Sequence, residues 1–365
     1  MPLTNVNPDQ YQQQLDGKAK CIISQFAEFD LPTLDLYKSP ALHFRLRAEF
    51  KVWHQGDDSF FVMYKPEQPK TPIRIDSFPI GSQRINQLMT SLLAEIKLSP
   101  LLRNKLFQIE FLTTLTDEAL VTMIYHKALN QHWQQLASTL QEKLAITIIG
   151  RSRKQKVVLS KEYVTETLSV NGKSYSFQQV ENSFTQSNGE VNQKMLGWAL
   201  QHSAGKGGDL VELYCGNGNF TVVMAQNFNK VLATEISKTS VKSAKYNIDL
   251  NNIDNVRIAR MSSEEFSSAL AGERAYRRLH DIDLSSYNFS TILVDPPRAG
   301  LDEHTEKLLT RFNNILYISC NPDTLYKNLQ PICKTHQIKK FAIFDQFPYT
   351  DHIECGVILS REHNE

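Results

Sequence analysis

Two rhythms divide the chain. Over residues 43–53 apolar and polar positions alternate without a break. Phe44, Leu46, Ala48, Phe50 and Val52 share one face; His43, Arg45, Arg47, Glu49, Lys51 and Trp53 share the other. Period two marks a half-buried strand, and the polar QGDD turn that follows predicts a hairpin with SFFVMYK. FQIEFLTTL and ALVTMIYHKAL predict a second strand pair across Thr116, Asp117 and Glu118. AITIIG and KVVLS predict a third, joined by Arg151, Ser152, Arg153 and Lys154. Amphipathic spacing predicts helices over residues 85–98 and 131–144. In the second half the runs DLVELY, KVLATEI, NVRIAR, STILVDPP and ILYISC alternate with helical stretches near 220–227, 238–251 and 305–310. KKFAIFD and HIECGVILS follow. Strands spaced by helices imply βαβ units and an α/β fold with a mixed, mostly parallel sheet. The segment VNGKSYSFQQVENSF reads as the linker, giving an α+β region over 1–175 and a Rossmann-like domain over 176–365.

Composition acts by exclusion. The 365 residues carry 40 Lys+Arg against 39 Asp+Glu, a net charge of +1, so bulk positive charge cannot be the means of holding nucleic acid. With 41% hydrophobic and 22% charged residues the chain can build a packed core and does not read as disordered. No run of about 18 apolar residues occurs, and the polar start MPLTNVNPDQYQQQ lacks the layout of a signal peptide. The five cysteines, Cys21, Cys215, Cys320, Cys333 and Cys355, are scattered and form no C-x-x-C. Such a set suits a reducing cytoplasmic setting and argues against a disulfide framework, a cysteine-bound metal or an iron–sulfur cluster.

Residues 212–220, Glu-Leu-Tyr-Cys-Gly-Asn-Gly-Asn-Phe, follow a predicted strand and open a predicted helix. Gly216 and Gly218 allow a tight turn and close approach of a ligand to the backbone. The third glycine of a dinucleotide fingerprint and the lysine of a P-loop are both missing. Glu235 ends the next strand, about twenty residues on, where a carboxylate meets a ribose. E-x-Y-x-G-x-G-x-F resembles the first motif of S-adenosylmethionine-dependent methyltransferases. A purely structural glycine turn is the alternative, and Glu235 tips the balance toward cofactor binding.

In an open α/β sheet the ligand lies outside the carboxyl ends of the strands. Those ends bring Gly216, Glu235, Asp295 and Cys320 to one rim, and Glu354 joins them if the last strand runs antiparallel. Asp295-Pro296-Pro297-Arg298 is stiff because proline fixes φ. A thiol and a carboxylate facing a methyl donor suit methylation of uracil at C5. Thiolate addition to C6 makes C5 nucleophilic, and a base then removes the C5 proton so that the thiolate can leave. Cys320 is the expected nucleophile and Glu354 the expected base, with Arg298 placed to stabilise negative charge. A free cysteine titrates at about 8.5, so Cys320 needs a lowered pKa or a proton acceptor. The competing expectations are a small buried thiol at 320 and a solvated carboxylate at 354. Cys21, Cys215, Cys333 and Cys355 read as packing residues, and His352 as orienting or exposed.

DPPRAG, then LYISCNP, then FDQFPYTDHIE resemble the paired signatures of RNA uridine-C5 methyltransferases. SPALHFRLRAEF, KLFQIEFLTTL and QVENSFTQ are similar to the bacterial tRNA (uracil-54-C5)-methyltransferase branch, so the resemblance spans nearly the whole chain. It implies an N-terminal RNA-recognition domain before an S-adenosylmethionine-dependent methyltransferase domain. It also implies Cys320 as nucleophile, Glu354 as proton acceptor, and Gln186, Tyr214, Asn219, Glu235 and Asp295 at the S-adenosylmethionine site. Lacking clustered cysteines, the chain departs from the ribosomal-RNA branches, which favours the T-arm of tRNA as substrate, with other T-loop-like RNAs as further candidates.

Flipping a stacked loop base costs a few kcal/mol that RNA contacts must offset. Arg45, Arg47 and Lys51 on one strand face could meet phosphates, and Phe107 matches a family position that stacks on loop bases. Arg151, Arg153, Lys154, Arg274, Arg277 and Arg278 are further phosphate candidates. Amino-group methylation would put an aromatic residue where Arg298 stands and leave Cys320 without a task. An RNA-folding role with methylation secondary is the reading from outside enzyme chemistry. No heptad or apolar stripe argues against a monomer.

Overall fold

The computed structural model describes residues 6–65 and 68–361. Helix α1 (Tyr11–Gln25) and strand β1 (Leu34–Tyr37) precede β2 (Arg47–Gln55), β3 (Asp58–Lys65) and β4 (Gln68–Ile75). Helices α2 (Gln83–Leu98) and α3 (Pro100–Arg103) lead to β5 (Leu106–Thr113) and β6 (Ala119–Tyr125). Helix α4 (Gln131–Leu144) leads to β7 (Thr147–Ser152), β8 (Gln155–Val158), β9 (Tyr163–Val170) and β10 (Lys173–Val180). After α5 (Gly189–Ser203) come β11 (Asp209–Leu213), α6 (Asn219–Met224), β12 (Val231–Thr234), α7 (Lys238–Leu250), β13 (Val256–Ala259) and α8 (Ser263–Leu270). The chain closes with β14 (Phe289–Val294), α9 (Glu303–Leu309), β15 (Asn314–Ser319), α10 (Pro322–Ile332), β16 (His336–Phe344) and β17 (Glu354–Arg361).

Two compact units result. The first is built chiefly from Pro40–Thr167 and Gln178–Glu190. Its seven-stranded sheet runs β4-β3-β2-β5-β6-β7-β8, antiparallel throughout except where α4 carries the chain from β6 to a parallel β7. The alternation over 43–53 is realised: Phe44, Leu46, Ala48, Phe50 and Val52 are all buried, and Phe50 packs edge-on to Phe78 with ring centroids 5.1 Å apart. No alternation announces β4. Its Pro72 lies opposite Tyr64 on an edge strand, where a missing N–H breaks no second ladder.

The second unit takes Asp9–Ser39, Leu168–Phe177 and the chain from Val191 onward. Its eight-stranded sheet has the order β1-β16-β17-β15-β14-β11-β12-β13, and only β17 runs against the others. One core cluster gathers Ala19 and Ile22 of α1 and its C-cap Phe26 with Val211, Ile292, Ile315, Phe341 and Val357 of the strands. The strand order reverses at β11 and β14, which is where a doubly wound sheet opens a crevice for ligands.

The units do not follow a single cut at residue 175. Residues 9–39 count with the second unit because β1 pairs with β16 and α1 packs on that core. The predicted linker is instead the arm of a β9–β10 hairpin. Its turn, Asn171-Gly172, has φ of 49° and 82°, as a two-residue hairpin turn requires. The hairpin's base belongs to the first unit and its tip, Leu168–Phe177, to the second.

Candidate active site

The cofactor loop leaves β11 through three residues in the left-handed region: Tyr214 (φ 62°), Gly216 (56°) and Gly218 (83°), the last capping α6. A Cβ on Gly216 would meet nothing within 4 Å, so the backbone there borders open space. Glu235, just past β12, accepts the backbone N–H of Gly216 at 3.0 Å and that of Ser237 at 2.7 Å. Its carboxylate thereby ties the ends of two strands and keeps lone pairs for a ligand. Asn247 Nδ2 donates to the carbonyl of Asn217 at 2.9 Å, and Tyr214 Oη donates to Ser263 Oγ at 2.8 Å. Asn219 and buried Asn192 exchange amide bonds at 2.9 and 3.0 Å. Sequence reasoning missed Asn192, since nothing local pairs residue 192 with 219.

Next to this loop the DPPRAG segment is fastened to the loop that follows β15. Gly300 (φ 79°) closes a turn to the carbonyl of Pro297 at 2.8 Å, and a Cβ there would stand 2.8 Å from Asn328 Oδ1 and Thr324 Cβ. Asn321, the cap of α10, donates its amide to the carbonyl of Arg298 at 3.0 Å. Cys320 is thus held between Ser319 and Asn321, whose N–H donates to Ser319 Oγ at 3.2 Å. In the β15–β17 ladder Ser319, the last residue of β15, lies opposite Cys355, so Cys320 leaves β15 at the rim where Glu354 opens β17, near enough for the charge of Glu354 to act on the thiol. Cys355 points into the core cluster. Glu354 is only 5% exposed, which removes the solvated-carboxylate alternative, and Cys320 is half-buried rather than sealed in the core.

The rim is crowded with acids. Burial pushes Asp295 up to about 7. Burial and the nearby Asp295 push Glu354 well above the carboxylate range. Glu212, fully buried, is pushed up to about 8 by burial and by Asp295 and Glu235, against the bond it accepts from Thr221 Oγ1 at 2.6 Å. Burial, Glu354 and Asp295 raise Cys320 to about 11, while exposed Arg298 pulls the other way. Of the two routes the sequence leaves open, a lowered thiol pKa or a proton acceptor, the raised value favours the second. Cys215 and Cys355 are buried, as expected; Cys333 is half-buried, whereas Cys21 is exposed on α1 rather than packed.

Tyr214, Gly216, Asn219, Glu235, Asp295, Cys320 and Glu354 all lie in the second unit; Gln186 lies in the first, on the segment between β10 and α5. In the first unit, Arg45 and Arg47 are not free surface cations. Arg45 Nε donates to the carbonyl of Arg47 at 2.8 Å, and a guanidinium nitrogen of Arg47 donates to the carbonyl of Ser183 at 2.6 Å. Lys51 on the same face is exposed and lies over the rings of Tyr64 and Phe107, at 4.9 and 5.3 Å. The β5–β6 register slips between Leu106 and Gln108, which leaves Phe107 as the extra residue of a bulge. Bulges re-aim side chains, and Phe107 stacks on His126 with ring centroids 4.3 Å apart and planes at 22°. His126, Arg151 and Arg153 also line a pocket of about 500 Å³. His126 is the contact that sequence reasoning did not find. Among the described residues no group of three or more His, Cys, Asp or Glu could hold a metal ion, and no helix is long and apolar enough to cross a membrane.

Comparison with known proteins bears on this arrangement as a whole. The family model described as tRNA (Uracil-5-)-methyltransferase matches residues 10–362. A protein of Saccharophagus degradans named tRNA/tmRNA (uracil-C(5))-methyltransferase is 56% identical over 361 residues, covering 99% of each chain. Its namesake in Colwellia psychrerythraea is 55% identical over 363 residues, 98% of this chain and all of its own. Among solved structures, the Pyrococcus abyssi tRNA (uracil-54, C5)-methyltransferase in complex with S-adenosyl-L-homocysteine superposes with a TM-score of 0.72 at 19% identity. The match covers 96% of this chain and 83% of that one, so the fold is shared from end to end. On a family match that runs almost the full length, and relatives more than half identical, the chain belongs to the tRNA (uracil-5-)-methyltransferase family.

Proposed function

We propose that the protein methylates C5 of uridine 54 in the T-loop of tRNA with S-adenosylmethionine as methyl donor, by covalent catalysis through Cys320. The observation that carries this reading is that Cys320, just past the end of β15, and Glu354, the first residue of β17, stand at one rim of the sheet. The names of the relatives support tRNA and also tmRNA as substrates.

The residues present fit the donor. Tyr214, Gly216, Asn219 and Asp295 would hold it, with Glu235 toward its ribose, and Gln186 is assigned to it by resemblance. Glu212 and Glu354 are buried and Asp295 is half-buried, so desolvation raises all three, and other acids stand near Glu212 and Glu354. A sulfonium relieves such a field, so these acids favour a cationic donor. Bound there, S-adenosylmethionine supplies an electrophilic methyl group. The chain's own residues do the rest. Cys320 releases its proton to solvent and forms a C–S bond to uracil C6, and the C5–C6 π pair moves onto C5. After C5 has taken the methyl group, which leaves S-adenosylhomocysteine behind, the Glu354 carboxylate takes the C5 proton. That electron pair restores the C5–C6 double bond as the C–S bond breaks, and the thiolate is released. Arg298, exposed beside Cys320, offsets negative charge during addition and can meet an RNA phosphate. In the first unit, Phe107 and His126 offer a stacking platform for a loop base.

Incubation with tRNA transcribed with 5-fluorouridine, plus S-adenosylmethionine, tests the reading. Fluorine cannot leave C5 as a proton does, so a denaturation-resistant adduct on the Cys320 peptide is expected. An adduct on another residue, or methylation retained by Cys320→Ala, overturns it.

A further inference from the structure

Helix α1 buries Tyr11, Leu15, Ala19 and Ile22, and Lys18 stands on that side of the helix, three residues past Leu15 and seven past Tyr11. Its side chain is 9% exposed, and that of Asp345, 2.7 Å away, is 0% exposed. An ammonium group has three N–H donors, and each finds an acceptor. They are Asp345 Oδ1 at 2.7 Å, the carbonyl of Phe347 at 3.0 Å and the carbonyl of His352 at 3.0 Å.

Those acceptors bracket the connection between β16 and β17. Asp345 directly follows Phe344, the last residue of β16; His352 stands two residues before Glu354, the first of β17. Phe344 and Glu354 are themselves opposite each other in the ladder. One nitrogen therefore joins both arms of the loop that delivers Glu354 to the rim. Two more bonds come from the same N-terminal segment. Gln14 Oε1 accepts the N–H of Tyr349, whose φ is 62°, at 2.8 Å, and the N–H of Asp345 donates to the carbonyl of Tyr37 at 3.0 Å.

We propose that Lys18 is a positioning residue for proton removal: by bracing both arms of the β16–β17 connection, it fixes the Glu354 carboxylate where the C5 proton of the uracil adduct must be taken. The inference rests on the reading of Glu354 as the base. It gives α1 a task in the reaction.

The test compares full-length Lys18→Met, Lys18→Arg, Gln14→Ala and Glu354→Gln with the unsubstituted protein, on unmodified tRNA and S-adenosylmethionine. Initial rates give kcat and KM, and denaturing gels give the fraction of protein held as covalent RNA adduct. Slower proton removal lowers kcat and raises that fraction, whereas loss of folded protein lowers both. For Lys18→Met a fall in kcat of about tenfold is expected, with both KM values within about twofold and more adduct. Gln14→Ala should move in the same direction by roughly two- to threefold, and Lys18→Arg should recover part of the loss. A kcat loss with a proportional loss of adduct overturns the proposal, as does an unchanged kcat. If Glu354→Gln itself accumulates no adduct, the assignment of the base fails and the proposal with it. If Glu354→Gln accumulates adduct and Lys18→Met does not, only the role of Lys18 falls. Should Lys18→Met not fold, Gln14→Ala decides, and an adduct level equal to that of the unsubstituted protein overturns the proposal.

Discussion

Glu181 in the first unit and Glu354 in the second are both buried carboxylates, and their surroundings treat them in opposite ways. Burial alone would raise Glu181, yet Arg151 at 2.6 and 2.7 Å and Lys156 at 3.0 Å hold it below the usual range. Thr122 Oγ1 adds a further bond at 3.0 Å. Glu354 is offered Asp295 and a thiol instead, and burial and Asp295 push it up. A carboxylate with its charge answered is a fastener. One held against its neighbours can take a proton and release it again, which is the property a general base needs.

Removing the thiol is the harshest way to break that contrast. On the proposed mechanism, Cys320→Ala should lower turnover by about a thousandfold or more, because the addition and every later step go together. Cofactor binding and thermal stability should stay near those of the unsubstituted protein. Measured by methyl incorporation into tRNA, a residual rate within tenfold of normal would return Cys320 to the class of packing thiols.

Arg151→Met attacks the fastener. It leaves Glu181 buried with Lys156 and the Thr122 hydroxyl only, and breaking a buried pair from one side costs about 3 kcal/mol. Urea unfolding should register that loss, while the rate of adduct formation by the protein that remains folded should hardly move. A large effect on chemistry with no effect on stability would reverse the assignment of the two regions.

Asp295→Asn predicts the opposite sign. The folded protein raises Asp295 to about 7, above the unfolded value of about 3.9. The native state therefore binds this proton more tightly, so its contribution costs no stability below pH 4 and becomes a growing penalty as pH climbs to 7. Replacing the carboxylate removes the penalty. At pH 8 the variant should be more stable by on the order of 2 kcal/mol, a few degrees in Tm, with the advantage shrinking at pH 5. It should also lose affinity for S-adenosylmethionine, a trade of function for stability. Equal destabilisation at both pH values would show that Asp295 is a structural acid like Glu181.

How much of this was legible in the sequence follows from the range of the interactions concerned. Most of both sheets was legible, because alternation over 43–53 and the strand–helix rhythm of the second half depend only on near neighbours, whereas edge strands β4 and β1 carry no such signal. The rim was legible too, since a doubly wound topology delivers Gly216, Glu235, Asp295 and Cys320 to one edge whatever the details. The place of α1 was not: β1 joins β16 across some 300 residues, and nothing near Leu34 announces it. Neither was the commitment of Arg45 and Arg47, whose acceptors are backbone carbonyls that no residue type reveals. Two missed features did leave a trace. Asn171-Gly172 is a hairpin signal inside what read as a linker, and Lys18 is a charge on an apolar helix face, which calls for a buried partner.

The smallest expected effect separates two cations on one strand. Lys51 and Arg47 share the polar face of β2, and alternation alone makes them equal candidates for a phosphate. The structure makes them unequal. Lys51 is exposed beside Phe107, whereas Arg47 already donates to Ser183. If Lys51 neutralises one phosphate, Lys51→Ala should flatten the plot of log affinity for tRNA against log salt by about 0.7–0.9, the yield of one released counterion. Arg47→Lys should leave the slope unchanged and lower stability slightly instead. Phe107→Leu provides the scale for a contact without charge: it should weaken tRNA binding by about 1 kcal/mol, roughly sixfold, at every salt concentration, because stacking releases no ions. If Arg47→Lys changed the slope and Lys51→Ala did not, phosphate would compete successfully with the Ser183 carbonyl, and the polar face of β2 would have to rearrange when RNA binds.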